Sequence, residues 1–332
     1  MLTQVQKQRF QRALVEWFTS EGRDYPWRRT HDPYAILVSE VMLQQTTIAM
    51  VLDRQFFERW LEAFPNVHAL AAASEQKLLK LWEGLGYYNR ARNLQNTARI
   101  IIERHGGVFP SSLSEVLALP GVGRYTAGAV VSLAFDYPAP VVDGNVARVL
   151  ARLFNYHQEV DAPPGQKQLW AWAESLMPAR RTGRYNSALM ELGQRVCTVT
   201  VPACSECPVR CWCRAENAEA LPVKRTRRKT IRLDEAVLLA RQDGRILLEQ
   251  ETGPRRRGLW KLPGKHESTC TELLWEGRYS ITHHRVTLRV FAAPAVARAR
   301  AGQKWFKISE LIEVPMPSPY RRALEALGVA GP

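Results

Sequence analysis

Apolar residues recur at helical spacing almost without interruption over residues 1–220. The opening MLTQVQKQRFQRALVEWF is typical of an amphipathic helix. Strand-like alternation begins only after residue 235, where AVLLARQDGRILLEQ places two apolar runs around Asp243-Gly244, a strong hairpin signal. RVTLRVFAAPAVAR predicts a further strand and SPYRRALEAL a closing helix. The pattern therefore predicts a mainly α N-terminal region followed by a small α+β domain at 235–332.

Residues 221–234 are predicted to link these two parts. Within them, LPVKRTRRKTIR has six basic residues and no acid, which is typical either of a solvated tether or of a strap that faces phosphate. The whole chain has 46 Lys plus Arg against 32 Asp plus Glu, a net charge of +14. This excess predicts a polyanionic partner.

A length of 332 residues predicts two or three domains, and a hydrophobic content of 46% argues against disorder. No apolar run approaches the roughly 18 residues that a membrane-spanning helix needs, and the N-terminus lacks the features of a secretory signal. We therefore expect a soluble, cytoplasmic protein that does not bind a membrane.

Five of the six cysteines lie within residues 197–213. Four of them have the spacing C-x6-C-x2-C-x5-C, in which one short loop can surround a single metal cluster. Structural zinc is the alternative, but a zinc ribbon normally pairs two C-x2-C motifs. We expect Cys211 and Cys270 to be ordinary thiols. The spacing favours one [4Fe–4S] cluster, with the ligands Cys197, Cys204, Cys207 and Cys213.

The segment LPGVGRYTAGAVVSLAF contains a Pro-Gly-x-Gly turn followed at once by an apolar helix. This pattern predicts a helix–hairpin–helix element at 112–134, in which Gly121 and Gly123 let backbone N–H groups approach a phosphate. A dinucleotide-binding motif would need a third glycine where Thr126 stands. A turn without a function remains the alternative.

Glu40 lies in a predicted helix with Ile36 and Leu43 on its own side. Such neighbours favour a desolvated carboxyl group, whose raised pKa lets it remain an acid near neutrality. In the alternative interpretation, Glu40, Gln44 and Thr47 form a polar face that is exposed to solvent.

Either Asp143 or Asn145 begins the helix in VVDGNVARVL. In one interpretation, this residue only caps the helix and has no catalytic function. The same position can nevertheless hold a carboxylate ionised, through hydrogen bonds and the helix dipole. A protonated Glu40 with a raised pKa and an ionised Asp143 would form a catalytic pair of the kind used in glycoside hydrolysis.

Five segments together resemble the helix–hairpin–helix DNA glycosylases that contain an iron–sulfur cluster. In chain order they are SEVMLQQT, GLGYYNRARNL, LPGVGRYTAGAV, VDGNVARVL and the cysteine loop. Within that superfamily the resemblance is to the adenine glycosylases of the MutY type, which remove adenine mispaired with 8-oxoguanine. It covers residues 1–220 closely and extends to 236–332.

The resemblance implies a two-lobed helical fold. Its six-helix module would span about 26–135, and its cluster module would combine 1–25 with 136–220. It also implies a cytoplasmic monomer of the bacterial type that acts at the nucleoid on double-stranded DNA containing adenine opposite 8-oxoguanine.

By the same resemblance, Glu40 protonates the flipped adenine and Asp143 stabilises an oxocarbenium-like sugar. Gln45 and Tyr87 would probe or wedge the duplex, although they could instead be a helix-surface amide and a core aromatic. At Ser187 relatives often have a longer polar side chain. The remaining pocket residues that the resemblance implies are Trp27, Arg28, Tyr125 and Asn145.

Tyr125 stands where the related endonuclease III enzymes have a nucleophilic lysine. Without an amine, strand cleavage has no evident catalyst, so the resemblance implies a glycosylase without lyase activity. Two other functions remain open, a non-catalytic DNA-binding redox sensor and an endonuclease III-like pyrimidine glycosylase with lyase activity.

The C-terminal part resembles a Nudix-like domain that recognises 8-oxoguanine, and GLWKLPG matches its aromatic-proline stretch. The G-x5-E-x7-R-E-x2-E-E pattern is absent, so we expect no magnesium-dependent hydrolase. The segment Ile281-Thr282-His283 occupies the recognition position, with Ile281 in place of an aromatic residue. Thr282 and His283 are thus implied to contact 8-oxoguanine, unless they only pair with strand neighbours.

Overall fold

The computed structural model of the protein describes residues 2–226, 229–265, 272–293 and 299–329, so Cys270 lies outside the described residues. None of the helices in these ranges has an apolar stretch of the length that a membrane span requires. The helices are α1 (Gln4–Glu21), α2 (Pro33–Leu43), α3 (Ile48–Asp53), α4 (Phe56–Ala63), α5 (Val67–Ala72), α6 (Glu75–Leu81), α7 (Asn89–His105), α8 (Leu113–Leu117), α9 (Arg124–Phe135), α10 (Gly144–Leu153), α11 (Pro163–Leu176), α12 (Thr182–Arg195) and α13 (Ser318–Ala326).

The chain divides into two compact units. The first unit consists of residues 1–48, 66–68 and 96–226. The second unit consists of residues 49–65, 69–95 and 227–332. The C-terminal region thus shares a unit with the segments around α4 and α6.

The first unit is helical, and its core is built around α10. Val146 and Leu150 of α10 are fully buried, as are Phe10 and Leu14 of α1, which confirms the amphipathic helix predicted at the N-terminus. α12 passes closely against the start of α10, because a Cβ atom on Gly193 would lie only 2.7 Å from the Cβ atom of Asn145. This contact brings α12 next to the residues that begin α10.

The predicted helix–hairpin–helix element is confirmed as α8, a short turn and α9. Ser112 caps α8, because its side chain accepts a hydrogen bond from the N–H of Glu115. Gly121 in the turn has a φ of 73°, in the left-handed region that glycine adopts without strain. Gly123 is the N-cap residue of α9, and both glycines are exposed.

The strands of the second unit form two sheets. They are β1 (Ile231–Leu239), β2 (Arg241–Gln242), β3 (Arg245–Gln250), β4 (Trp260–Lys261), β5 (Leu273–Ile281), β6 (His284–Ala292) and β7 (Gln303–Lys307). In the first sheet, β1 runs parallel to β6, and β6 pairs with β5 in an antiparallel hairpin. In the second sheet, β3 pairs with β2, β4 and β7.

Two strand predictions need correction. β1 begins at Ile231, inside the stretch predicted as linker, because its pairing with β6 starts at His284 and supplies hydrogen bonds that the charge pattern does not reveal. The hairpin at Asp243-Gly244 is confirmed, with φ values of 48° and 69° that fit a two-residue turn. However, only Arg241–Gln242 precede that turn within the same sheet, since most of the first apolar run belongs to β1.

Candidate active site

Glu40 lies on α2, whose residues from Tyr34 to Met42 are all buried. The residue is 7% exposed, so it does not belong to a solvent-facing stripe. Burial, together with the negative charge of Asp143, raises the pKa of Glu40 to about 7. A hydrogen bond from Tyr125 and the positive charge of Arg28 oppose this rise. Glu40 is therefore a carboxyl group that is partly protonated at neutral pH.

Tyr125 connects Glu40 to the helix–hairpin–helix element. It stands at the second position of α9, and its hydroxyl donates to Glu40 Oε2 at 2.7 Å. The same hydroxyl lies 3.4 Å from the sulfur of Met190 on α12. Burial and the neighbouring carboxylates raise the pKa of Tyr125 well above its ordinary value, so the phenol remains a proton donor. α2, α9 and α12 thus meet at this hydroxyl.

Asp143, rather than Asn145, is the N-cap residue of α10. Its Oδ1 accepts from the N–H groups of Asn145 at 3.0 Å and Val146 at 2.7 Å, and its Oδ2 accepts from Asn145 Nδ2 at 2.8 Å. The predicted capping bonds are present, and each lowers the pKa. The expected direction of the pKa shift was nevertheless wrong, because burial raises the pKa of Asp143 by more than these bonds lower it.

A buried ion pair stands beside this group of residues. Glu191 of α12 is fully buried, and its Oε2 accepts from the Arg28 guanidinium at 2.8 Å. Arg28 also lies over the ring of Tyr25, which stacks on Trp27 with ring centroids 5.1 Å apart. The sequence analysis missed Glu191. The available signal was its spacing, because Glu191 stands four residues after Ser187 and the two therefore share one face of α12. Both residues are buried on that face.

A chain of hydrogen bonds connects Asp143 to the cysteine loop. Asn145, which donates to Asp143, accepts from Arg148 at 2.9 Å. Arg148 is 7% exposed and also donates to the backbone carbonyls of Cys197 at 2.7 Å and Gly193 at 2.6 Å. A buried guanidinium that loses such acceptors is left with unsatisfied donors, which costs about 1–3 kcal/mol or more. The position of Asp143 therefore depends on the loop that begins at Cys197.

Four of the five loop cysteines interact electrostatically. Burial, together with the charges of Cys197, Cys213 and Cys204, raises the pKa of Cys207 to about 11. Arg152 donates to the Sγ atom of Cys197 at 3.2 Å and to two carbonyls of the loop. Within the described ranges, no three Cys, His, Asp or Glu side chains are close enough together to hold a single metal ion.

Three residues that the sequence analysis assigned to DNA contacts share an unusual backbone conformation. Gln45, Tyr87 and Thr282 have φ values of 55°, 48° and 52°, and they are three of the eight non-glycine residues with positive φ in the described part of the chain. Each such residue is strained by about 1–3 kcal/mol, and such strain concentrates at functional sites. Gln45 lies in the first unit, and Tyr87 and Thr282 lie in the second.

Tyr87 is 45% exposed, so it is not a core aromatic residue. Thr282 and His283 form the turn between β5 and β6, next to Ile281 at the end of β5. The backbone carbonyl of His283 accepts from the N–H of Ile231, so part of the strand-pairing interpretation is correct. Thr282 is exposed, and its hydroxyl donates to the carbonyl of Ile281 at 2.7 Å.

A protein-family model matches residues 38–175 and describes an HhH-GPD superfamily base excision DNA repair protein. The adenine DNA glycosylase of Homo sapiens is 45% identical over 217 residues, which cover 63% of this chain and 39% of the human protein. The adenine DNA glycosylase of Buchnera aphidicola subsp. Acyrthosiphon pisum is 33% identical over 256 residues, covering 76% of this chain and 72% of that protein.

Among solved structures, a thermostable thymine-DNA glycosylase superposes with a TM-score of 0.57 and 31% sequence identity. This superposition covers 63% of this chain and 95% of that enzyme. The chain spans about two fifths of the length of the mammalian relatives that it matches. The superposition confirms the helical fold expected from the sequence, and the family model covers the segment that contains Glu40, Tyr125 and Asp143.

Proposed function

The chain belongs to the adenine DNA glycosylase family of the helix–hairpin–helix base excision repair superfamily, and from that premise we propose that it excises adenine opposite 8-oxoguanine in double-stranded DNA. The observation that supports the reaction best is the environment of Glu40, a buried carboxyl group with a pKa of about 7 that accepts a hydrogen bond from Tyr125. A leaving purine needs a proton donor of this strength at neutral pH.

In the proposed reaction, the adenine leaves the base stack and enters the site that contains Glu40. Glu40 donates a proton to the adenine ring, and the bond between the base and C1′ of the sugar breaks with its electron pair on the base. The partly protonated state of Glu40 near neutrality allows it to act as this acid. Neutral adenine leaves, and an oxocarbenium-like sugar remains.

Asp143 is proposed to stabilise this cation as an anion. Its Oδ1 and Oδ2 atoms are fixed by three hydrogen bonds at the start of α10, which hold the negative charge in one place. Water then adds to C1′ and releases a proton, which gives an abasic site. Tyr125 offers a phenol rather than an amine, so we propose that no Schiff base forms and that the enzyme has no lyase activity.

Arg28 and Glu191 are proposed to wall the adenine pocket together with Trp27 and Asn145. The 2.8 Å ion pair between Arg28 and Glu191 supports this role, because it balances a fully buried carboxylate. The other oxygen of Glu191, Oε1, lies 3.8 Å from Arg195 Nη1 and has no hydrogen bond, so it can accept from an N–H donor such as the exocyclic amine of adenine.

Cys197, Cys204, Cys207 and Cys213 are proposed to hold one [4Fe–4S] cluster. These four cysteines are near enough to one another to interact electrostatically, and cysteine thiolates are the usual ligands of iron–sulfur clusters. Cys211 is exposed and does not contribute to those shifts. The cluster would supply a covalent crosslink of the loop to which Arg148 and Arg152 donate.

The proposed DNA contacts combine charge, the hairpin and exposed side chains. The net charge of +14 favours a polyanion, and the exposed Gly121 and Gly123 leave the N-terminus of α9 open to a phosphate. Gln45 and Tyr87 are proposed to probe or wedge the duplex. The protein is proposed to act as a monomer.

The residues that follow the basic linker are proposed to form a Nudix-like domain that recognises the opposite base. 8-Oxoguanine has a carbonyl and an N–H group that guanine lacks. A hydroxyl and an imidazole can bind both features, which assigns the discrimination to Thr282 and His283. One such contact is worth about 1–3 kcal/mol, or roughly 5- to 150-fold in affinity.

The direct test is single-turnover incubation with a duplex that contains one adenine opposite 8-oxoguanine, analysed with and without alkali. We expect strand cleavage only after alkali, because an abasic site without lyase activity stays intact until base breaks it. Cleavage without alkali would indicate an endonuclease III-like enzyme. Binding without any excision would indicate a non-catalytic DNA-binding protein.

A further inference from the structure

An ion pair within the second unit connects α13 to Glu83, which follows the end of α6. Arg321 of α13 donates to both carboxylate oxygens of Glu83, at 2.7 Å from Nε and 3.2 Å from Nη2. Both side chains are only 12% exposed. The same guanidinium donates to the carbonyls of Leu311 at 2.8 Å and Val314 at 2.7 Å. Arg321 therefore ties the segment before α13 to Glu83.

Further hydrogen bonds lie around the ion pair between Glu83 and Arg321. The buried hydroxyl of Tyr88 donates to the carbonyl of Met316 at 3.3 Å, and the N–H of Met316 donates to Glu83 Oε2 at 3.3 Å. At the start of α7, Asn89 Nδ2 donates to the carbonyl of Pro254 at 3.4 Å. The C-terminal region is thus bonded to the chain on both sides of Tyr87.

Residues 84–88, which we term the Tyr87 loop, have little freedom of their own. Gly84, Gly86 and Tyr87 have φ values of 110°, 67° and 48°, so three of the five residues are in left-handed conformations. The carbonyl of Gly86 accepts from Trp82 at 2.9 Å and from Arg90 at 3.1 Å. These bonds fix the loop backbone, whereas the ring of Tyr87 is 45% exposed.

An exposed aromatic ring on a fixed backbone is the type of side chain that inserts between base pairs. Its angle of entry is set by the residues that hold the loop. Glu83 immediately precedes the Tyr87 loop, and Tyr88 ends it. A displacement of the segment that Arg321 holds would therefore act on both ends of the loop.

We propose that Glu83 and Arg321 are positioning residues, which make the insertion of Tyr87 depend on the opposite-base recognition performed by the C-terminal region. The inference rests on the proposed function. It adds a physical connection by which recognition of 8-oxoguanine promotes opening of the duplex. Tyr87 touches DNA in this scheme, whereas Glu83 and Arg321 act through it.

The coupling predicts a substrate-selective effect. Mutations of residues that connect two coupled sites typically change the coupling by about 2- to 30-fold. Guanine lacks the groups through which the C-terminal region is proposed to recognise 8-oxoguanine, so the coupling should contribute little to excision of adenine opposite guanine. Weakening the ion pair should therefore slow excision opposite 8-oxoguanine about tenfold and excision opposite guanine less than twofold.

The test compares single-turnover rates of the full chain and of Glu83→Gln on both duplexes. Glu83→Gln removes the charge and keeps an acceptor oxygen, and Glu83→Ala serves as a second variant if the amide retains the contact. Lys80→Gln is the matched control, because it removes the other ion pair of the same carboxylate, at 3.0 Å, and leaves Arg321 unchanged. The control should retain the wild-type ratio of the two rates.

A second comparison repeats Glu83→Gln in a Tyr87→Ala background. If Glu83 acts through Tyr87, its substitution should change the rate less than twofold there. Equal losses on both duplexes, no loss, or an undiminished loss in the Tyr87→Ala background would overturn the inference. Wild-type protein that excises adenine from neither duplex would instead refute the proposed function.

Discussion

Glu40→Gln should abolish adenine excision and at the same time stabilise the protein above neutral pH. The carboxyl group has an ordinary pKa of 4.5 and a pKa of about 7 in the folded chain. At 1.36 kcal/mol per pH unit, this difference corresponds to about 3 kcal/mol of lost stability once Glu40 is ionised in both states. A glutamine keeps an acceptor for Tyr125 and has no charge to desolvate.

The sign of this effect is opposite to that of a salt-bridged carboxylate. A raised folded-state pKa means that the folded protein binds more protons than the unfolded chain between pH 4.5 and about 7. Wild-type stability therefore falls as pH rises through that window, and the variant lacks this loss. The difference between the two proteins should be below about 1 kcal/mol at pH 5 and about 3 kcal/mol at pH 8.

Thermal unfolding followed by circular dichroism at pH 5 and pH 8 measures the difference. For a domain of about 150–250 residues, 3 kcal/mol corresponds to an increase in Tm of about 6–12 °C at pH 8. Glu16→Gln, which alters an exposed glutamate of α1, is the control and should show no difference at either pH. A Glu40→Gln variant whose advantage is equal at both pH values, or absent at pH 8, would refute the assignment of Glu40 as a desolvated acid.

Three further predictions concern catalysis and the cysteine loop. Single-turnover excision should fall as pH rises through about 7, where Glu40 loses its proton, and should also fall in acid, where Asp143 gains one; a flat profile of rate against pH would contradict the acid–anion pair. Tyr125→Phe removes a hydrogen bond that lowers the pKa of Glu40, so the alkaline limb of this profile should move to higher pH, and an unmoved limb would argue against the contact. Cys204→Ser should lose iron and visible absorbance whereas Cys211→Ser keeps both, as measured by iron analysis of purified protein; equal loss would show that the ligand set is wrong.

Much of the helical region could be predicted because local patterns decide it. The capping position of Asp143, the hairpin glycines and the apolar surroundings of Glu40 are all properties of short segments. The sequence neighbours of Glu40 allowed either a desolvated acid or a residue on a polar face, and its burial in the structure favours the first. Helical spacing shows which residues share a face, but not which face meets the core.

Contacts between residues that are far apart in the chain could not be predicted from the sequence. Glu191 is paired with Arg28 across 163 positions, and no local pattern predicts such a partner. The pKa of Asp143 was misjudged for the same reason, since burial is produced by distant segments that pack around α10. The start of β1 depended likewise on pairing with β6, more than 50 positions away.

The left-handed backbone at Gln45, Tyr87 and Thr282 has a consequence for sequence design. A procedure that chooses residues by compatibility with the backbone would place glycine or asparagine at these three positions, because both adopt positive φ with less strain. Such a redesigned chain would gain stability and lose every side chain assigned to contact the duplex at these points. Redesign of this scaffold should therefore keep these three residues fixed and seek stabilising substitutions elsewhere.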